Sequence, residues 1–147
     1  MLSVAEIMTA QPYTLRPRDS LAKAATLMHE HHIRHIPIVC NDGNVVGLVS
    51  HRDVLAASDS RLVREAHETN ARDNHLALSS IMTSPVHTVN EDAELRAVAV
   101  FLRKHRVGCL PVLRDGQLVG IITDSDFLEV AIALMEQLEM SEPVEDF

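Results

Sequence analysis

"GLVSHRD", Gly47 to Asp53, recurs as "GIITDSD", Gly120 to Asp126. Each copy reads glycine, two aliphatic residues, a hydroxyl residue, two variable residues and an aspartate. A hydroxyl followed three residues later by a carboxylate is a helix-start pattern. Ser50 or Thr123 would sit at the N-cap and Asp53 or Asp126 at N3. The same geometry supports a second use. A helix N-terminus presents N–H groups to an anion, and an acid one turn on can accept both hydroxyls of a ribose. The motif alone leaves both readings open: a duplicated structural corner, or a duplicated nucleotide site.

The duplication extends well beyond the motif. Ile7, Met8 and Thr9 match Ile81, Met82 and Thr83. Thr14 matches Thr88, Leu21 matches Leu95, Ala25 matches Ala99, His31 matches His105 and Pro37 matches Pro111, all at an offset of 74. After one deletion the offset is 73: Asp42-Gly43 matches Asp115-Gly116 and Gly47 matches Gly120. Self-similarity at a fixed offset marks a repeated structural unit. Residues 1–58 are the first copy and 78–130 the second, whose final helix extends to about 140. The polar stretch 59–77 reads as a linker with some helical propensity, and 141–147 as a loose acidic tail.

Each copy predicts the same order of elements. Short strands at 13–15 ("YTL") and 87–89 ("HTV") follow a turn carrying Pro12 or Pro85. Asp19 or Ser20, and Asn90 or Asp92, are candidate N-caps. Apolar residues at 21, 24, 25, 27 and 28, and at 95, 98, 99, 101 and 102, recur at helical spacing. The helices end in "HEHHIRH" and "RKHRVG", whose positive charge suits a helix C-terminus. Strands "IPIV" and "LPVL" follow. Asp-Gly turns then signal hairpins, with returning strands "VVGLVS" and "LVGIIT" and a helix beginning at the motif. The fold class is α/β (α+β), a tandem of strand–helix–strand–strand–helix units. A unit of about 55 residues with an apolar sheet face is marginal alone. Two copies packed back to back about a pseudo-twofold axis solve that problem and create two equivalent clefts.

Composition excludes several functions. The chain has 147 residues, 46% of them hydrophobic, with no Trp, one Tyr and three Phe, so its core is aliphatic. A net charge of −8 argues against general nucleic-acid binding, which draws on Lys and Arg against phosphates. Cys40 and Cys109 lie in apolar runs, as buried thiols of a reduced intracellular protein do. "MLSVAEIMTAQP" lacks the features of a signal peptide, and no apolar run approaches the ~20 residues of a membrane span. These features predict a cytoplasmic protein with no membrane partner.

Neither catalysis nor a metal site is expected. His31 and His35 have zinc-like spacing within the cluster His29, His31, His32 and His35. Pro37 predicts that the helix ends by about residue 32, so the four fan out. Cys109 lacks an evident set of acid, base and orienting group. The segment "DFLEVAIALMEQLEM" is apolar at 127, 128, 130, 131, 132, 134, 135 and 138, more than one helix face, and predicts a homodimer interface.

"IMT…P…T", "HHIRHIPIV…DG…VGLVSHRDVL" and "HRVGCLPVL.DGQLVGIITDSDFL" closely resemble the cystathionine β-synthase (CBS) domain, and their tandem arrangement resembles a stand-alone CBS pair, or Bateman module. The resemblance implies two β-α-β-β-α units packed through their sheets, a regulatory and non-enzymatic role, and a flat dimer formed through helices. It implies an adenosine ligand such as AMP, ADP, ATP or S-adenosylmethionine in the clefts, no obligatory cofactor, and an unknown protein target. The implied sites are composite. Thr123 and Asp126 face Thr9, Tyr13, Ile33 and Arg34. Ser50 and Asp53 face Thr83, His87, Val107 and Gly108. The aspartates take ribose, the hydroxyls a phosphate or ribose oxygen, and Ile33 or Val107 lies against adenine. The sites are unequal: Asp124 follows Thr123, whereas His51 and Arg52 follow Ser50, with Arg106 nearby. An adenine nucleotide is the expected regulatory ligand. The alternatives are a structural dimerisation module with unoccupied clefts, or sensing of S-adenosylmethionine or a metal.

Overall fold

The computed structural model describes residues 1–59 and 76–140. Most of the expected linker and all of the expected acidic tail therefore lie outside the described residues. The first copy contains α1 (Val4–Ile7), β1 (Thr9–Ala10), α2 (Leu21–His31), β2 (His35–Val39), β3 (Val45–Ser50) and α3 (His51–Ser58). The second contains a 3-10 turn (Leu78–Ser80), β4 (Val89–Asn90), α4 (Leu95–His105), β5 (Cys109–Arg114), β6 (Gln117–Thr123) and α5 (Asp124–Leu138). The α/β class and the helix–strand–strand–helix order are as the sequence predicts.

Several local expectations need correction. The predicted strand at 13–15 is reduced to one parallel bridge, Leu15 to Ile38. Its counterpart is the two-residue strand Val89–Asn90, which starts two residues later than the predicted 87–89 and ends one residue later. Ser20 caps α2, its side chain accepting from the Lys23 amide. The cap of α4 is Glu94, which makes no side-chain cap bond. Neither Asn90 nor Asp92 serves there, because the Asn90 side chain accepts from the Asp92 amide within the preceding turn. Both helices end alike, with His32 and Arg106 in the left-handed region at φ 53°. That turns the chain out of the helix before the next strand.

Each hairpin is antiparallel. β2 pairs with β3, setting His35 opposite Ser50. β5 pairs with β6, setting Cys109 opposite Thr123. The second hairpin belongs to a four-stranded sheet ordered β1-β6-β5-β4. Its outer strand β1 comes from the first copy: Thr9 pairs with Ile121 and Ala10 with Gly120. The reciprocal link is the bridge between Leu48 and Thr83, whose amides and carbonyls bond in both directions at 3.2 and 2.9 Å.

The two copies thus exchange their leading segments, and the cores record it. Leu15, Leu21, Ala24, Met28, Ile36, Ile38, Val49 and Val54 form one apolar cluster, completed by Leu78 from the second copy. Leu95, Val98, Leu102, Leu110, Val112 and Ile122 form the other, completed by Val4 from the first. Leu78 and Val4 are both fully buried. The exchange puts more apolar area out of water than either copy could alone, which a unit this small needs.

Candidate functional site

The pairing of His35 with Ser50 and of Cys109 with Thr123 brings the start of one strand beside the end of its partner. At each such corner a helix also begins. The Arg34 carbonyl accepts the His51 amide at 2.7 Å, and the Gly108 carbonyl accepts the Asp124 amide at 3.0 Å. Both corners open onto one continuous cleft of about 920 Å³. Thr9, Ile33, Arg34, Thr123 and Asp126 line it, and so do Ser50, Val107 and Gly108. The clefts expected from the repeat meet here, since residues of both corners line this one cleft.

Both motifs form capping boxes. The Ser50 amide donates to Asp53 Oδ2 at 2.8 Å, and the Asp53 amide donates to Ser50 Oγ at 3.1 Å. The Thr123 amide donates to Asp126 Oδ2 at 2.8 Å, and the Asp126 amide donates to Thr123 Oγ1 at 3.3 Å. Asp126 has a further partner. Thr9 Oγ1, 117 residues away in sequence, donates to its Oδ1 at 3.3 Å. This bond ties the early turn of one copy to the motif of the other, the cross-copy meeting that the resemblance implied.

Other expected site residues lie elsewhere. Tyr13 does not line the cleft. Its ring stacks on His31 at 4.1 Å between centroids, against its own copy's helix. His87 likewise packs edge-on against Phe101 at 5.4 Å. Thr83 is engaged through its backbone with Leu48, and Asp53 lies behind Ser50 rather than on the cleft's lining. Ile33 and Arg34 line the same cleft as Thr9, Thr123 and Asp126, while the backbone anchors Arg34 at the Ser50 corner and Gly108 at the Thr123 corner. Antiparallel pairing dictates this, since the residue before the first strand must end up beside the residue after the second.

His35, which the sequence allows a phosphate-facing role, lines the cleft, and so does Arg103, which sequence reasoning passed over. Arg103 belongs to the basic end of α4 and carries no signal beyond that. With Arg34, Arg52 and Arg106 it surrounds the cleft with four guanidinium groups, against the carboxylates of Asp124 and Asp126. Among the described residues none of the four is held in an ion pair. Burial holds the His35 imidazole below its ordinary pKa, helped by Arg34 and opposed by Asp124 and Asp53. The Cys109 thiol is pushed up to about 12, first by burial and then by the charges of Asp126 and Asp124. Cys40, expected to be buried, is only half so. Among the described residues no group of three or more His, Cys, Asp or Glu is placed to hold a metal ion, and no helix is long and apolar enough to cross a membrane.

The family model of the CBS domain matches residues 4–60 and again 78–133. The chain belongs to the CBS-domain family and carries the domain as a tandem pair. Its fold is shared with a putative acetoin utilization protein (AcuB) from Vibrio cholerae, 40% identical, at a TM-score of 0.78 over 97% of this chain and 99% of that one. The CBS domain pair of protein MJ0100, in complex with methylthioadenosine and S-adenosyl-L-methionine, is 27% identical at a TM-score of 0.74, over 91% and 98% of the two chains. CBSX2 in complex with AMP is 25% identical at a TM-score of 0.75, over 92% and 99%.

Proposed function

We propose that this CBS pair is a regulatory module, not an enzyme, that binds an adenine nucleotide (AMP, ADP or ATP) in the cleft between its copies. It acts as a cytoplasmic homodimer and passes the binding state to a protein target. The observation that carries this reading is the charge of the cleft. A chain with 21 acidic and 13 basic side chains gathers four arginines around two helix starts. Such a concentration of positive charge suits a phosphate-bearing ligand. Support for the adenosine part comes from the neighbours in complex with AMP and with S-adenosyl-L-methionine. In this reading Asp126 takes ribose hydroxyls, Asp53 holds Ser50 in place, Ser50 and Thr123 take phosphate or ribose oxygens, and Ile33 and Val107 flank the base. Thr9 and Thr83 hold the early turns in register.

The capping boxes favour a second reading, a dimerisation module whose cleft stays empty, since both carboxylates already serve their own helices. Thermal denaturation separates the two. AMP, ADP or ATP at 100 times its Kd should stabilise the fold by about 2.7 kcal/mol. The absence of any shift at millimolar concentrations of all three would leave the structural reading standing.

A further inference from the structure

The two corners of the cleft differ at matched positions, and each difference moves charge in the same direction. Arg34 corresponds to Gly108, His35 to Cys109, His51 to Asp124 and Arg52 to Ser125. The first corner therefore presents two arginines and two histidines where the second presents a glycine, a buried thiol, a carboxylate and a serine. The carboxylate does more than add charge. Asp124 Oδ1 accepts the Ser125 amide at 2.9 Å. With the Asp124 amide on the Gly108 carbonyl and the Asp126 amide on Thr123 Oγ1, all three first-turn amides of α5 are taken. In α3 the His51 and Asp53 amides are taken in the same way, while the Arg52 amide has no partner among the described residues. Gly108 leaves the other oxygen of Asp124 uncovered on the cleft side. A Cβ at Gly108 would sit 3.5 Å from Asp124 Oδ2 and 3.6 Å from His35 Nε2.

We propose that Asp124 makes the two corners select different ligands: the Ser50 corner takes the phosphate of an adenine nucleotide, and the Thr123 corner takes an adenosine whose 5′ substituent carries no negative charge. This rests on the adenosine reading of the cleft. The Asp124 carboxylate stands where a phosphate would meet the start of α5. A second phosphate there would face a like charge, and the first-turn amides of α5 that could receive it are all taken. A neutral or cationic substituent meets no such opposition. One chain can then hold a nucleotide and an uncharged adenosine ligand together, and the state it reports is a combination of the two.

AMP and adenosine differ only in the phosphate, which makes them the probes. Calorimetry on the full chain should count two adenosines per chain but one AMP, with any second AMP weaker by about tenfold or more. Asp124→Asn keeps an oxygen for the Ser125 amide and removes the charge. It should tighten the second AMP by about tenfold and leave adenosine unchanged. His51→Asp transfers the acid to the other corner and should weaken the first AMP by a similar factor. Two AMP sites of equal affinity in the natural protein would overturn the proposal, as would an unaltered AMP isotherm in both variants. If neither adenosine nor AMP binds, the nucleotide reading of the cleft itself fails.

Discussion

Cys109 and Cys40 look alike in the sequence, each an isolated cysteine in an apolar run, yet their surroundings separate them. Cys109 is 1% exposed, and its thiol is pushed up to about 12 by burial and by two neighbouring aspartates. Reaction of a thiol proceeds through the thiolate. At pH 8 the folded protein should therefore consume about one equivalent of a thiol reagent, at Cys40, and release the second only on unfolding. Cys40 itself should react more slowly than a free thiol, because its hydrogen bond to the Asp42 carboxylate raises its pKa. Equal and rapid labelling of both cysteines in the native state would contradict this burial. The Ser50–Asp53 and Thr123–Asp126 boxes were legible residue by residue, since capping chemistry is local. The bond from Thr9 to Asp126 was not a local signal, and only the repeat and its family resemblance pointed to it.

At the scale of elements, Gly120 sets how closely β1 can approach β6. A Cβ there would lie 2.5 Å from Met8 Sδ and 2.9 Å from the Thr9 carbonyl oxygen. The methionine side chain can move, but the carbonyl belongs to the strand itself. Gly120→Ala should force β1 outward and destabilise the fold by about 1–3 kcal/mol, the usual cost of overpacking. Because Thr9 pairs with Ile121, the same substitution should lengthen the Thr9–Asp126 bond and weaken ligand binding at that corner. An unchanged denaturation midpoint in urea would show that the strand yields freely. The matched Gly47 admits the Met82 side chain of the other copy's leading segment, though no backbone atom, so the repeated glycine of the motif is explained by the exchange of leading segments. Its presence was evident in the sequence. Its reason was not, because the neighbour it admits comes from the other copy.

At the scale of the whole molecule, α5 is a 15-residue helix with no buried residue. Leu128, Ile132, Leu134, Met135 and Leu138 are each about half exposed or more, and Leu55 on α3 is 51% exposed. A contiguous apolar surface of this kind in a folded chain marks an interface. Sedimentation equilibrium should give the mass of two chains. A double variant, Ile132→Glu with Met135→Glu, should shift it to one chain while the helix content by circular dichroism stays nearly the same. A monomeric natural protein at about 100 µM would remove the dimer from the proposal, 100 µM being far above the Kd of a typical specific complex. Sequence alone determined the repeat, the type and order of most elements, the helix starts and the apolar excess of the last helix. All of these follow from spacing along the chain, through hydrogen bonds and periodicities a few residues long. Tertiary structure decided which copy's leading segment completes which core, that residues of both corners line one cleft, and that Arg34 stands at the Ser50 corner. Those depend on contacts between residues about 15 to 120 positions apart, and no local propensity carries them.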